Sequence, residues 1–218
     1  MVLIRRPVRK LGSAPRQWFR VDSRPGSETV RTGVFADTNE LASAVEARGA
    51  EYDDALALVC VHGRHDTCCA VRGRPLAARL ASADPVATWE CSHVGGCRFA
   101  PALVLLPHGY VLGGVEAANG PDVLREYRKG TVDPRWVRGR SCFAPAVQAA
   151  QHEARLKTGA FGVDALRVTD VSSDGPRWSV RFADPDCTVV LRERRVAADR
   201  PLTCAATAPG WMRVFDVQ

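Results

Sequence analysis

Ala55-Leu-Ala-Leu-Val-Cys60-Val-His-Gly-Arg-His-Asp-Thr-Cys-Cys69 is the stretch on which the fold turns. Residues 55–59 form an unbroken apolar run ending at Cys60, the pattern of a strand buried on both faces. A polar loop over residues 61–67 follows and carries Cys68 and Cys69 at its end. The next segment predicts a helix with Pro75 near its first turn and Leu76 and Leu80 on one face. Residues 86–91 read as a second strand, and His93-Val-Gly-Gly-Cys97 as a loop whose glycines let backbone come close to a bound group. Residues 103–106 and 110–114, joined by Pro107-His-Gly109, predict a β-hairpin. Gly120-Pro-Asp122 then opens a helix, with proline at its start and an acid in its first turn. The order strand–helix–strand–strand–strand–helix is that of a thioredoxin-like core. A right-handed crossover makes its first two strands parallel.

On the N-terminal side the sequence predicts a strand at residues 2–6 and a second at 18–21. A helix is expected over 39–48, with Thr38 as its cap and Arg48 and Gly49 at its end. On the C-terminal side it predicts a helix over 145–157. Three strands follow at 166–171, 177–182 and 188–192, separated by turns at 172–176 and 184–186, as in an antiparallel meander. The expected class is therefore α/β, with a mixed α+β sheet. Residues 1–53 are expected to form an N-terminal extension packing on the core, 54–130 the thioredoxin-like core and 131–218 a C-terminal α+β segment.

Composition narrows the function. The hydrophobic fraction of 46% and charged fraction of 25% are those of an ordinary globular protein. The longest apolar run, residues 99–107, is far short of the roughly 20 residues of a helical span, and no signal-peptide pattern opens the chain. A cytoplasmic protein with no membrane partner is expected. The net charge of +6 comes from residues spread along the chain, without a helix-turn-helix, zinc-finger or RNA-binding signature, so nucleic acid is not an expected partner.

The chain has eight cysteines, and Cys60, Cys68, Cys69, Cys91 and Cys97 cluster with His62, His65 and His93, while Cys142, Cys187 and Cys204 are scattered. In a reducing compartment such a cluster points to metal or redox chemistry rather than disulfides. Cys60 and Cys69 have eight residues between them, and His93 and Cys97 have three. The loops at the carboxyl ends of adjacent parallel strands converge, so these four donors can enclose a metal site. The chain holds no Cys-x-x-Cys, the spacing of zinc knuckles and of thioredoxin-type dithiols. Longer spacing suits a two-iron cluster, which thiolate and imidazole both ligate. On spacing alone, iron–sulfur, zinc and unligated thiols all stay open.

The long motifs add to this reading. Cys60-Val-His-Gly-Arg-His-Asp-Thr-Cys-Cys69-Ala, Gly73-Arg-Pro75, Trp89-Glu-Cys-Ser-His-Val-Gly-Gly-Cys-Arg-Phe-Ala-Pro101 and Leu105-Leu-Pro-His-Gly109 closely resemble the sucrase/ferredoxin-like family. The likeness continues at Arg138-Gly-Arg-Ser141 and Gln148-Ala-Ala150. It implies a thioredoxin-like ferredoxin with a 2Fe–2S cluster, a one-electron carrier working between a reductase and an acceptor enzyme. Cys60 and Cys69 match the family's paired cysteines, with Cys68 the adjacent alternative. His93 matches the first histidine of its His-x-x-x-His element. Cys97 stands where that element has its second histidine, so the implied ligand set is Cys60, Cys69, His93 and Cys97. Three thiolates make such a cluster more negative than two, and its potential lower. Zinc binding or redox sensing by the same residues is the alternative. The resemblance also implies a segment ahead of residues 2–6, so either a shortened form or a misplaced start is expected.

The remaining candidates read more plainly. His62 and His65 are expected as exposed loop residues, Asp66 as an acceptor within that loop, and His108 as a solvated turn residue. Cys91, at a strand end, is expected to point into the core. Ser92 and Ser141 lie in no Gly-x-Ser-x-Gly elbow, and Asp66, Asp84 and Glu90 make no recognisable glycosidase pair.

Overall fold

The computed structural model describes residues 1–7, 16–64 and 67–218. The N-terminal part contributes β1 (Ile4–Arg5), β2 (Arg16–Asp22), β3 (Thr29–Phe35), α1 (Leu41–Glu46) and β4 (Ala50–Glu51). The middle runs β5 (Leu56–Cys60), α2 (Thr67–Ala83), β6 (Thr88–Cys91), β7 (Ala102–Leu106), β8 (Tyr110–Gly113) and α3 (Gly120–Arg128). Then come β9 (Val137–Arg140), α4 (Pro145–Thr158) and a meander of β10 (Arg167–Asp174), β11 (Arg177–Ala183), β12 (Cys187–Ala197) and β13 (Trp211–Val217).

The mixed α+β class is as expected, and the central sheet has the order β1-β6-β5-β7-β8-β9. β5 and β6 are parallel, with α2 as their crossover, while β7 and β8 form the antiparallel hairpin beyond β5. This is the connectivity anticipated from the strand order.

Residues Leu56–Cys60 are all buried, and their alternation assigns them to two different layers. Ala57 and Val59 face Leu76, Ala77 and Leu80 of α2, together with Leu103, Leu105 and Leu112 of the hairpin. Leu56, Leu58 and Cys60 face the other way, toward Trp89, Cys91 and Ala102, under a cover from Val30, Phe19 and Val21 of the β2-β3-β4 sheet. Phe19 packs edge-on against both Tyr52 and Trp89, with ring centroids 5.4 Å apart in each pair. Cys60 thus belongs by parity to the layer beneath the N-terminal sheet.

Helix α2 begins earlier than the sequence predicts. Its first turn contains Thr67, Cys68 and Cys69, and Pro75 lies in its interior rather than near its start. Proline removes one N–H, and the carbonyl four residues earlier, on Val71, loses its donor. Val71 and Pro75 both sit on the exposed side, where water supplies the missing partner. Gly73 lies on the opposite side, pressed against the end of β5: a Cβ there would come within 2.2 Å of the Cys60 carbonyl oxygen. That close approach lets α2 pack its apolar stripe on one layer while Cys69, in its first turn, joins the layer of Cys60.

Other differences have local causes. The helix expected over 39–48 is a 3-10 turn, Thr38–Glu40, followed by the short α1. Its cap is Asp37 instead of Thr38, because Asp37 accepts the Asn39 N–H and Glu40 reaches back to the Asp37 N–H, a capping box. The sequence reading missed β3, β9 and β13. Val30 is buried between polar neighbours in β3, and β9 is too short and arginine-rich to show a period. β13 extends the meander to four strands.

Two buried arginines join the layers. Arg140 donates to Glu28 Oε1 (2.6 Å), the Ser23 carbonyl (3.1 Å) and the His108 carbonyl (3.0 Å), tying the β2–β3 turn to the central sheet. Arg155 of α4 donates to the Tyr110 hydroxyl (2.6 Å) and to the carbonyls of Ala160 and Gly162. Around it, Val147, Ala150 and Ala154 of α4 pack on Leu166, Val180, Phe182 and Leu191. His108 is half-buried rather than solvated, with Nδ1 2.7 Å from the Tyr127 hydroxyl.

Gly73→Ala is expected to lower stability by about 1–3 kcal/mol, because the clash is with backbone and neither partner can swing away. Thermal unfolding checks this, and an unchanged Tm would refute the close approach. Glu28→Ala is expected to cost more, about 3–5 kcal/mol, by leaving the Arg140 charge buried without its carboxylate. Burial is the largest influence and opposes the Glu28 charge, but the Arg140 hydrogen bond, the backbone hydrogen bonds of the turn and the Arg140 charge together outweigh it and hold the carboxyl below its ordinary value. A carboxyl with a lowered folded-state pKa stabilises fully above its unfolded value, about 4.3, and loses that contribution as pH falls. The stability gap between wild type and Glu28→Ala should therefore shrink in acid.

Candidate metal centre

The parallel register of β5 and β6 pairs Cys60 with Cys91 at the carboxyl end of the sheet. The chain leaves β5 into the loop toward α2 and leaves β6 into the loop of His93 and Cys97, so both loops open over the same edge. Gly95 and Gly96 lie in the left-handed region, φ 88° and 68°, which turns the second loop back over the strand end and places Cys97 at the start of a 3-10 turn.

Three of the four expected donors meet closely: one ligand atom each from Cys60, Cys69 and His93 lie within 4.8 Å of one another. The fourth, Cys97, has its Sγ 3.6 Å from Cys69 Sγ and 3.6 Å from His93 Nδ1. Cys60, Cys69 and Cys97 are buried, and His93 is half-buried. Of the two adjacent thiols, Cys69 is the one in this group. Cys68 turns aside, its Sγ 3.6 Å from the Cys97 carbonyl oxygen. Cys91 is buried in the same apolar layer, as expected.

The electrostatics are those of crowded, dry thiols. Burial pushes the Cys69 thiol well above its ordinary value, and the nearby Cys60 and Cys97 add to the shift. Burial likewise raises Cys91 to about 12, with contributions from Cys60 and Glu90. Such thiols stay protonated by themselves, and a cation among them reverses the preference, because a coordinating thiol is deprotonated outright. The donor set, three soft sulfurs and one imidazole in a small buried volume, fits a thiolate-binding metal.

Two contributors escaped the sequence reading. His62 is half-buried, not an exposed loop residue, and its Nδ1 accepts the His93 backbone N–H at 3.2 Å, tying the two loops together. Its position two residues after Cys60 was the available signal. Cys204 comes from far along the chain, and its Sγ accepts the Cys68 N–H at 3.3 Å. No local pattern announces that contact. His65 and Asp66 lie outside the described residues. The second His–carboxylate grouping, Glu28, His108 and Asp164, already holds the Arg140 guanidinium.

A Cys/His grouping thus lies at the carboxyl edge of the two parallel strands of a mixed sheet. The family model described as sucrase/ferredoxin-like matches residues 15–139, and the chain belongs to that family. No curated protein and no solved structure matched it. Among the described residues, no helix is long and apolar enough to cross a membrane.

Thiol labelling of the metal-free protein should separate the cysteines by environment. Cys142 and Cys204, both exposed, should react first at pH 8, whereas Cys69 and Cys91 should react only on unfolding. Mass-spectrometric mapping of the labelled sites checks the order. Equal rates for Cys91 and Cys142 would contradict the burial of this layer.

Proposed function

We propose that this protein is a one-electron carrier whose 2Fe–2S centre is held by Cys60, Cys69, His93 and Cys97. The observation that carries the reading is the convergence of three thiols and one imidazole, from the end of β5, the first turn of α2 and the segment after β6, in a chain of the sucrase/ferredoxin-like family. When bound, the cluster supplies a site that takes up and releases a single electron.

The chain's own residues do the rest. Cys60 and Cys69 come from rigid elements, a strand end and a helix first turn, locked together at Gly73. His93 and Cys97 come from a loop that His62 holds through the His93 N–H. Phe19, Trp89 and Val30 roof the layer and keep water from the sulfurs, and low solvent exposure is one determinant of the potential. The N-terminus of α2 favours negative charge on Cys69. Electrons would pass to and from partner proteins, a reductase on one side and an acceptor enzyme on the other.

A second reading has its own observation. The 3.6 Å between Cys69 Sγ and Cys97 Sγ is close to the edge of a tetrahedron around one zinc ion, about 3.8 Å for metal–sulfur bonds near 2.3 Å. In that case the same residues form a zinc-binding or redox-sensing structural module.

Anaerobic purification with metal and acid-labile sulfide analysis separates the two. The carrier reading expects about two irons and two sulfides per chain and a paramagnetic signal after dithionite reduction. One zinc per chain with no iron overturns it. Cys69→Ser should lose the centre, Cys97→Ser should alter its spectrum, and Cys68→Ser should leave it unchanged.

A further inference from the structure

Most arginines whose side chains are placed by a partner have a carboxylate. Arg24 pairs with Asp22, Arg125 with Asp122, Arg135 with Asp133 and Arg194 with Asp216. The rim of the candidate metal centre is different. Arg98 follows Cys97 directly and lies over the Phe99 ring, its guanidinium carbon 4.4 Å from the ring centroid. Arg138, from β9, lies over the same ring at 4.5 Å. Arg72, three residues after Cys69 on α2, reaches the Ala100 carbonyl at 3.3 Å. All three arginines are exposed, and among the described residues none forms an ion pair with a carboxylate.

Two like charges on one aromatic ring are unfavourable to each other. Partial burial and then the Arg98 charge pull the Arg138 guanidinium down from its ordinary value. The stacking on Phe99 offsets part of that cost, since each cation–π contact contributes about 0.5–1 kcal/mol at an exposed site. The ring itself is fixed: its backbone carbonyl accepts the Gly114 N–H at 2.8 Å, and a Cβ on Gly113 would lie 2.8 Å from the Phe99 Cβ. The arrangement is a set of guanidinium donors with carboxylate-matching forks and, among the described residues, no carboxylate paired with them.

We propose that Arg98 and Arg138, stacked on Phe99 with Arg72 beside them, form the docking surface for the acidic face of a redox partner protein. This rests on the carrier reading above, which supplies the reason for a partner to dock at Cys97. Three elements converge on the surface, the turn after Cys97, α2 and β9, so the partner's carboxylates sit against the same loop that presents the site. The complementarity steers encounter: a net charge of +6 and an unpaired basic rim favour fast, salt-sensitive association through a small transient interface.

The test uses the full-length, isotopically labelled protein as purified and an acidic flavodoxin as the probe, followed by NMR shift changes at low salt. Shifts are expected around residues 97–99 and 137–139. The double variant Arg98→Glu/Arg138→Glu should weaken binding about tenfold or more, and the difference should collapse in 0.5 M salt. Arg98→Gln/Arg138→Gln, which removes charge without reversing it, should fall between, and a matching thermal melt for each variant shows that folding is retained. Binding that is equal in wild type and variants, or shifts confined to another face, overturns the proposal. So does tighter binding of a DNA duplex than of flavodoxin at the same ionic strength. Metal analysis of the same samples keeps the two ideas apart. Iron-free protein that still docks through these arginines overturns the carrier reading while supporting the surface. Iron-loaded protein that docks independently of them overturns the surface alone.

Discussion

The layers of this protein are arranged around a five-residue strand buried along its whole length. Leu56 to Cys60 is buried on both faces, and the strand's two-residue period sends alternate side chains into separate layers. One layer is the aliphatic core beneath α2. The other is a mixed layer of sulfur and aromatic groups that needs a second cover, and the β2-β3-β4 sheet provides it. Without that cover the thiols of Cys60, Cys91 and Cys97 would face solvent, and their chemistry would be that of ordinary surface cysteines.

The metal-binding candidate is a consequence of this division. Burial makes thiolates costly, and neighbouring cysteines raise the cost further, so Cys69 and Cys91 stay neutral by themselves. The fold brings them together because the cost of apolar exposure elsewhere outweighs this local penalty. The Gly73–Cys60 contact lets a helix on one layer deliver a thiol to the other.

Arginine plays two opposite parts. Arg140 and Arg155 are buried, fully partnered, and serve as cross-links between layers, each donating to carbonyls or hydroxyls that apolar residues could not satisfy. Arg98 and Arg138 are exposed, have no carboxylate partner among the described residues and rest on the Phe99 ring. The same side chain is structural where its donors are taken up within the chain, and available for recognition where it rests on a ring face.

The sequence by itself determined the core connectivity, the helix after Gly120, the α4 helix and the donors Cys60, Cys69, His93 and Cys97 as the residues worth watching. Those features are written in short-range periods and spacings, such as the apolar run at 55–59 and the glycines at 95 and 96. The sequence favoured Cys69 but left Cys68 as its alternative; the tertiary structure puts Cys69 in the group, because a one-residue step on a helix rotates a side chain by about 100°. It also decided that His62 braces the His93 loop, that Pro75 sits inside a helix, and that Cys204 lies beside Cys68. The His62 and Cys204 contacts depend on what a second segment places opposite, 31 and 136 residues away, and no local pattern encodes the identity of such a neighbour.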